Sequence, residues 1–91
     1  MNSAELIAHL RAAGVPADAY SVGDDCDEAY CLVRQDDRWS VYYSERGRRT
    51  DEVRHASEAD ACAELLGRLM RDHVVRRRMT ESHYGKLDRN S

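Results

Sequence analysis

The densest group of side chains able to do chemistry is the acidic segment DDCDE, which carries Asp24, Asp25, Asp27 and Glu28. Carboxylates this close together bind hard metal ions, exchange protons in catalysis or attract basic proteins. The segment lacks the central glycine and distal glutamate of a calcium loop, and the sequence shows no buried or cationic neighbour to tune an acid–base pair. Two interpretations stay level: a loop that contacts a basic partner protein, and a solvated loop without a ligand.

The cysteines and histidines form no recognisable catalytic or metal-binding pattern. Cys26, Cys31 and Cys62 are an odd number, their spacing is unlike that of a C-x2-C zinc knuckle, and no histidine pair completes a site. A Cys–His nucleophilic pair is compatible with the spacing, but no motif supports it. We therefore predict free thiols, no metal, no cofactor and no enzymatic activity.

Two clusters of arginines suggest a different kind of partner. Arg46, Arg48 and Arg49 fall at a predicted hairpin tip, and Arg76–Arg78 fall near the end of a predicted helix. Clustered arginines bind phosphates, although charges are also ordinary at hairpin tips and helix ends. The formal net charge of −3 argues against nucleic acid. A small nucleic-acid-binding or regulatory module that uses these six arginines is the alternative function.

Length and composition bound the class of protein. The chain has 91 residues, of which 42% are hydrophobic and 34% charged, as expected of one small soluble domain. No apolar run approaches the roughly 20 residues of a membrane helix, and the N-terminus lacks the basic and apolar regions of a secretory signal. We therefore expect a cytoplasmic protein with no membrane partner. Only Lys86 of the fourteen basic residues is not arginine, which is typical of a GC-rich genome such as that of an actinobacterium.

Charge is distributed unevenly along the chain. Residues 1–37 carry eight acidic and two basic side chains, whereas residues 38–91 carry nine acidic and twelve basic ones. Such asymmetry indicates a charged partner more than it indicates a fold.

The N-terminal segment has the pattern of a short helix. Asn2 and Glu5 have the spacing of a capping box, in which each side chain binds a free backbone N–H of the first turn. Leu6 and Leu10 share one face, and Gly14 and Pro16 suit the end of the helix. These positions predict a helix over residues 3–13.

Alternating residues predict strands at 17–22, 28–34 and 38–44. A two-residue turn at Asp36-Asp37 would place Leu32 opposite Val41 and Arg34 opposite Trp39.

The same alternation divides the aromatic residues between two faces of the sheet. Trp39 and Tyr43 share the core face with Val41, so we interpret them as core residues rather than as an RNA-binding platform. Tyr42 lies on the other face, where burial and partner contact are both open.

A three-residue loop at Glu45-Arg46-Gly47 would lead into a further strand. Its register would place Val53 opposite Trp39, which suits the core, but would bring Asp51 near Val41, which does not.

The last predicted element is a helix that begins at Ser57, whose side chain can cap the first turn at Asp60. Its apolar stripe comprises Cys62, Leu65, Leu66, Leu69, Met70 and His73. The expected fold is therefore α+β, with an N-terminal helix, an antiparallel β-meander of three to four strands and a long C-terminal helix. Both helices are expected on one sheet face. We expect a single domain over 1–91, with a core of about 3–79 and a frayed tail at 80–91.

The succession AYSVG, AYCLVRQDDRWSVYYSERGRR and SEADACAELLGRL resembles small, mostly actinobacterial immunity-type proteins associated with polymorphic secreted toxins. The resemblance covers roughly residues 15–70. It is carried by Tyr20, Gly23, Cys31, Leu32, Trp39, Val41, Tyr42, Tyr43, Glu45, Arg46, Gly47, Glu58, Ala61 and Cys62.

The resemblance implies a protein that neutralises a cognate toxin by tight binding, which requires surface complementarity and no catalysis. The basic surface expected of such a partner matches the acidic residues of the first half of the chain. The predicted partner-binding residues are Asp24, Asp25, Asp27, Glu28, Asp36 and Asp37, with Tyr42, Arg46, Arg48 and Arg49 as a second set. Homodimerisation stays open.

Overall fold

A computed structural model describes residues 1–79. Helix α1 spans Ser3–Ala12, and a short 3-10 turn at Ala17–Ala19 leads into strand β1, Tyr20–Val22. Strands β2, Ala29–Gln35, β3, Arg38–Glu45, and β4, Arg48–His55, follow, and then helix α2, Glu58–Arg71. Helical backbone resumes at residues 73–79. The frayed tail expected at 80–91 lies outside the described residues.

The four strands form one sheet in the order β1-β2-β3-β4, and the sheet is mixed. The antiparallel meander is correct for β2, β3 and β4, but β1 runs parallel to β2, with Tyr20 beside Tyr30 and Val22 beside Leu32. The expectation of a wholly antiparallel sheet is therefore wrong. A strand of three residues shows too little alternation for its direction to follow from the sequence.

Both helix starts form as their sequences predict. The Asn2 side chain accepts the Glu5 N–H at 2.8 Å, and the Glu5 carboxylate accepts the Asn2 N–H at 3.1 Å. Ser57 accepts the Asp60 N–H at the start of α2.

The β2–β3 hairpin has the predicted register. Leu32 lies opposite Val41 and Arg34 opposite Trp39. The two-residue turn places Asp36 at a φ of 58°, a left-handed conformation that aspartate tolerates better than most residues.

The β3–β4 register differs from the prediction by a bulge. The turn is formed by Arg46 and Gly47, and Val53 lies opposite Val41 while His55 lies opposite Trp39. Asp51 has a φ of 54° at the irregularity between Val41 and Tyr43, so its side chain is not driven towards the core. Because β4 has an extra residue at the bulge, Asp51 is not forced against the buried Val41, as it would be in the regular register.

The main core lies on one face of the sheet, which we call the front face. Leu6 and Leu10 of α1, Leu65 and Leu69 of α2, and Val41 of β3 are all fully buried in one cluster. Both helices therefore contribute to the cover of this face.

The long C-terminal helix is interrupted. Helix α2 ends at Arg71, and Asp72 has the extended angles φ −82° and ψ 119°. The Asp72 carboxylate accepts the N–H groups of Val74 and Val75, so it caps the helical residues 73–79. The apolar stripe continues past this point in the sequence, but the capping side chain favours a break.

Candidate partner-binding surface

The acidic segment crosses the second face of the sheet, which we call the back face. Residues 23–28, here called the acidic loop, connect β1 to β2. Because these two strands are parallel, the loop must run back across the sheet from the end of β1 to the start of β2. The loop starts beside the middle of β2, where the Gly23 N–H donates to the Leu32 carbonyl at 2.8 Å. Beneath it lies a small buried cluster of Cys31, Val33 and Tyr42. The loop covers the side of the sheet opposite the cluster formed with α1 and α2.

Asp25 is the first anchor of the acidic loop. Its carboxylate accepts a short hydrogen bond from the Tyr42 hydroxyl. Burial, and then the hydrogen bond to Asp25, raise the pKa of Tyr42, so the phenol stays protonated and continues to donate. Next to this contact, the Cys31 thiol donates to the Cys26 carbonyl at 3.3 Å.

Asp27 is the second anchor. Its carboxylate accepts the Gly47 N–H at 3.1 Å, which fastens the acidic loop to the β3–β4 turn. The Glu28 N–H donates to the Ser44 carbonyl at 2.7 Å, and Glu28 itself has a φ of 59°. The loop is therefore held at two side chains and at both ends of its backbone.

The predicted acidic residues are all exposed, but they do not form one patch. Asp24, Asp25, Asp27 and Glu28 lie on the acidic loop, whereas Asp36 and Asp37 lie at the far end of β2. That strand has seven residues, so it separates Glu28 from Asp36 by about 20 Å or more at 3.3 Å per residue. Asp25 and Asp27 also hold the loop in place, which the sequence does not reveal.

Tyr42 is unsuited to partner contact. Its side chain is fully buried beneath the acidic loop. The guanidinium of Arg49 lies 4.3 Å from the centre of its ring. By contrast, Trp39 and Tyr43, predicted as core residues, are only partly buried, although Trp39 packs against the main core. The core assignment of Tyr43 is therefore only partly correct, and Tyr42, for which both alternatives were open, is the buried one.

Among the six arginines of the alternative function, Arg49 and Arg78 form side-chain bonds within the protein. Arg49 donates to Gln35 at 2.8 Å and to Glu52 at 2.9 Å. Arg78 forms an ion pair of 2.8 Å with Asp18. Arg46 and Arg48 are exposed at the β3–β4 turn, as the sequence predicts.

A groove on the front face was not predicted from the sequence. A cleft of about 690 Å³ lies where α2 ends against the bulge of β4, and a second of about 240 Å³ lies beside Glu28. The two clefts adjoin each other and are together called the groove; both are lined by Tyr30, Tyr43, Asp72 and Val74. Glu28, Tyr43 and His73 belonged to separate predicted patterns, but nothing in the sequence joined them, because the groove depends on the break at Asp72.

The floor of this groove is fixed by polar and aromatic contacts. The rings of Tyr30 and Tyr43 pack edge to face with centres 4.9 Å apart. The Tyr30 hydroxyl donates to Asp72 at 2.6 Å. Burial and this hydrogen bond raise the pKa of Tyr30 to about 12, and the hydrogen bond from Tyr30 lowers the pKa of Asp72.

Two of the three cysteines lie in surroundings that disfavour nucleophilic reactivity. Cys26 is exposed, Cys31 and Cys62 are buried, and all three are free. Burial raises the pKa of both buried thiols, which disfavours the reactive thiolate. Among residues 1–79, no three histidine, cysteine, aspartate or glutamate side chains lie close enough together to hold a metal ion.

The sequence matches no family model, no curated protein and no solved structure. In the described part of the chain, no helix is long and apolar enough to cross a membrane.

Proposed function

We propose that the protein is an immunity-type binder that neutralises a cognate bacterial toxin in the cytoplasm of the producing cell. The observation that carries the proposal is the acidic loop, which is fixed to the sheet through Asp25 and Asp27 while it presents its outer carboxylates to solvent. A loop ordered before binding loses little conformational entropy on association, so more of its contact energy appears as affinity.

The charge of the loop defines the class of partner. Four carboxylates within five residues attract a basic surface and speed the encounter with it. A toxin that acts on an anionic substrate has such a surface at its active site. The acidic loop would then cover that site, which requires complementary shape and charge and no chemistry on the part of the inhibitor.

Asp24 and Asp37 form a matched pair for testing the interface. Both are exposed, neither has a left-handed backbone, and neither side chain forms a hydrogen bond or ion pair among residues 1–79. Charge reversal at either position should change stability by no more than about 0.5 kcal/mol. Asp25 and Asp27 are unsuitable because their substitution would also release the loop.

The experiment co-expresses a toxin encoded beside this gene with the parent, with Asp24→Lys or with Asp37→Lys. It then measures survival and the association rate at several salt concentrations. We expect Asp24→Lys to slow association and weaken its salt dependence. A loss with Asp24→Lys alone places the interface at the acidic loop, and a loss with both variants extends it to the Asp36-Asp37 turn. Parent-like rates and survival for both variants would contradict the proposal.

A further inference from the structure

The groove on the front face adjoins the acidic loop at Glu28. Its smaller cleft is bounded by Glu28 and by the Asp18–Arg78 ion pair, and its floor is the Tyr30–Tyr43 pair. Val74 at its rim is 59% exposed, a high value for a large aliphatic side chain. The groove thus combines an apolar and aromatic surface with an acidic wall.

Two polar groups in this cleft have no partner among residues 1–79. The Tyr43 hydroxyl makes no hydrogen bond, and neither does the Glu28 carboxylate. The other charged groups are engaged: Asp18 with Arg78, and Asp72 with Tyr30 and two backbone N–H groups. Both of the groups left over can accept a hydrogen bond, and the remaining charge of the cleft is negative.

The electrostatic environment of Tyr43 agrees with this description. Burial, and then the carboxylates of Glu28, Glu45, Asp72 and Asp27, raise the pKa of Tyr43. A phenol surrounded by carboxylates lies in a negative potential, which favours a cation nearby.

We propose that the smaller cleft is a socket for an arginine side chain of the partner protein. The aliphatic stem would lie along Val74 and the tyrosine rings, and the guanidinium would donate to Glu28 and to the Tyr43 oxygen. This inference deepens the proposed function by naming the group that the partner inserts. Tyrosine and arginine are both enriched among the residues that dominate binding energy at protein interfaces.

The test uses peptides, so that it does not depend on the toxin. Acetyl-Gly-Arg-Gly-amide is titrated into the 15N-labelled protein, and the same peptide with citrulline, the neutral isostere of arginine, is the control. We expect the arginine peptide to bind in the millimolar range and to shift the amide signals of Glu28, Tyr43 and Val74. The citrulline peptide should shift them much less.

Glu28 and Asp36 provide matched protein variants, because each is an exposed acid with a φ of 59° or 58°. Asparagine tolerates this conformation, so Glu28→Asn and Asp36→Asn remove one charge each at comparable backbone cost. We expect Glu28→Asn to weaken the arginine peptide about threefold, as for one partly exposed charge pair, and Asp36→Asn to leave its affinity unchanged.

Three outcomes would overturn the socket: no shift with the arginine peptide, equal shifts with both peptides, or equal weakening by both variants. None of them bears on toxin neutralisation, which the co-expression experiment measures separately. Conversely, arginine binding without neutralisation would support the socket and contradict the immunity function.

Discussion

The two faces of the sheet are covered by different means. The front face is covered with α1 and α2 in a cluster of eleven buried residues, whereas the back-face cluster has three and lies beneath a six-residue loop. Burial of apolar area therefore dominates the stability of the front, and the back depends on a few polar contacts that hold the loop in place.

Each face nevertheless has the same kind of contact, a hydrogen bond from the hydroxyl of a strand tyrosine to an aspartate outside the sheet. On the front, Tyr30 binds Asp72 at the break after α2, and on the back, Tyr42 binds Asp25 of the acidic loop. The front bond therefore positions an element already held by its core, whereas the back bond holds the acidic loop that covers the cluster.

The largest effect is expected from truncating the buried aromatic of the back face. Tyr42→Ala removes the most voluminous fully buried side chain and should cost about 3–5 kcal/mol of unfolding free energy. Trp39→Ala should cost about half as much, because Trp39 is only partly buried. Urea denaturation measures both. If Tyr42→Ala does not fold, Tyr42→Leu gives the comparison, and a larger cost at Trp39 than at Tyr42 would contradict the assignment.

Removing the Tyr42 hydroxyl tests the hydrogen bond to Asp25 on the back face alone. Tyr42→Phe should cost about 1 kcal/mol, the usual net value of a hydrogen bond. Asp25→Ala should cost a similar amount, and the double variant should cost little more than either single one, because the two act on one bond. Additive losses in urea denaturation would show that Asp25 and Tyr42 stabilise the protein independently.

The Tyr30–Asp72 hydrogen bond on the front face should make the free energy of unfolding depend on pH. The pKa of Tyr30 is raised to about 12, so its contribution is complete below the unfolded value of about 10 and is lost as pH rises from there towards 12. The pKa of Asp72 is lowered, so its contribution is complete above about pH 4 and is lost as pH falls through the lower folded value.

Unfolding free energies measured across both ranges check this expectation. Tyr30→Phe should reduce both losses without abolishing them. At high pH, burial also raises the pKa of Tyr42 and Tyr43, and at low pH the Val74 and Val75 N–H groups also lower the pKa of Asp72. Identical pH profiles for Tyr30→Phe and the parent would show that the Tyr30–Asp72 bond is unimportant.

The smallest expected effect is on local opening of the acidic loop rather than on the free energy of unfolding of the whole protein. Of the three thiols, only the exposed Cys26 should react rapidly with a disulfide reagent in the native protein. Asp25→Ala should speed the labelling of Cys31 beneath the loop and leave Cys62 on the front unchanged. Asp24→Ala is the matched control, and peptide mapping by mass spectrometry identifies the labelled cysteine. Equal acceleration by both variants would mean that Asp25 does not hold the loop closed.

The front face could be predicted because its information is local. The short turn at Asp36-Asp37 sets a register in which Leu32 lies opposite Val41 on one face, and the stripe from Cys62 to Leu69 defines the facing side of α2. A periodic pattern of this kind identifies the buried residues even when the exact arrangement of the elements is unknown.

The back face could not be predicted because its contacts join distant residues of ordinary type. Asp25 and Tyr42 are 17 positions apart, and an aspartate in a loop is more often solvated than bonded to a buried phenol. The break after α2 has the same origin, since Tyr30 and Asp72 are 42 positions apart. The groove, and with it the candidate arginine socket, follows from that break.

The bulge at Asp51 affects how readily copies of this protein associate through their sheet edges in a crowded cell. Strand β4 is an edge strand of the sheet, and an edge strand of eight residues offers unpaired backbone groups to other chains. A left-handed residue at the middle of that strand interrupts its straight ladder, and the flanking Arg49, Glu52 and Arg54 side chains add charge. The same extra residue that keeps a carboxylate out of the core therefore also discourages fibril-like stacking of one molecule onto the next.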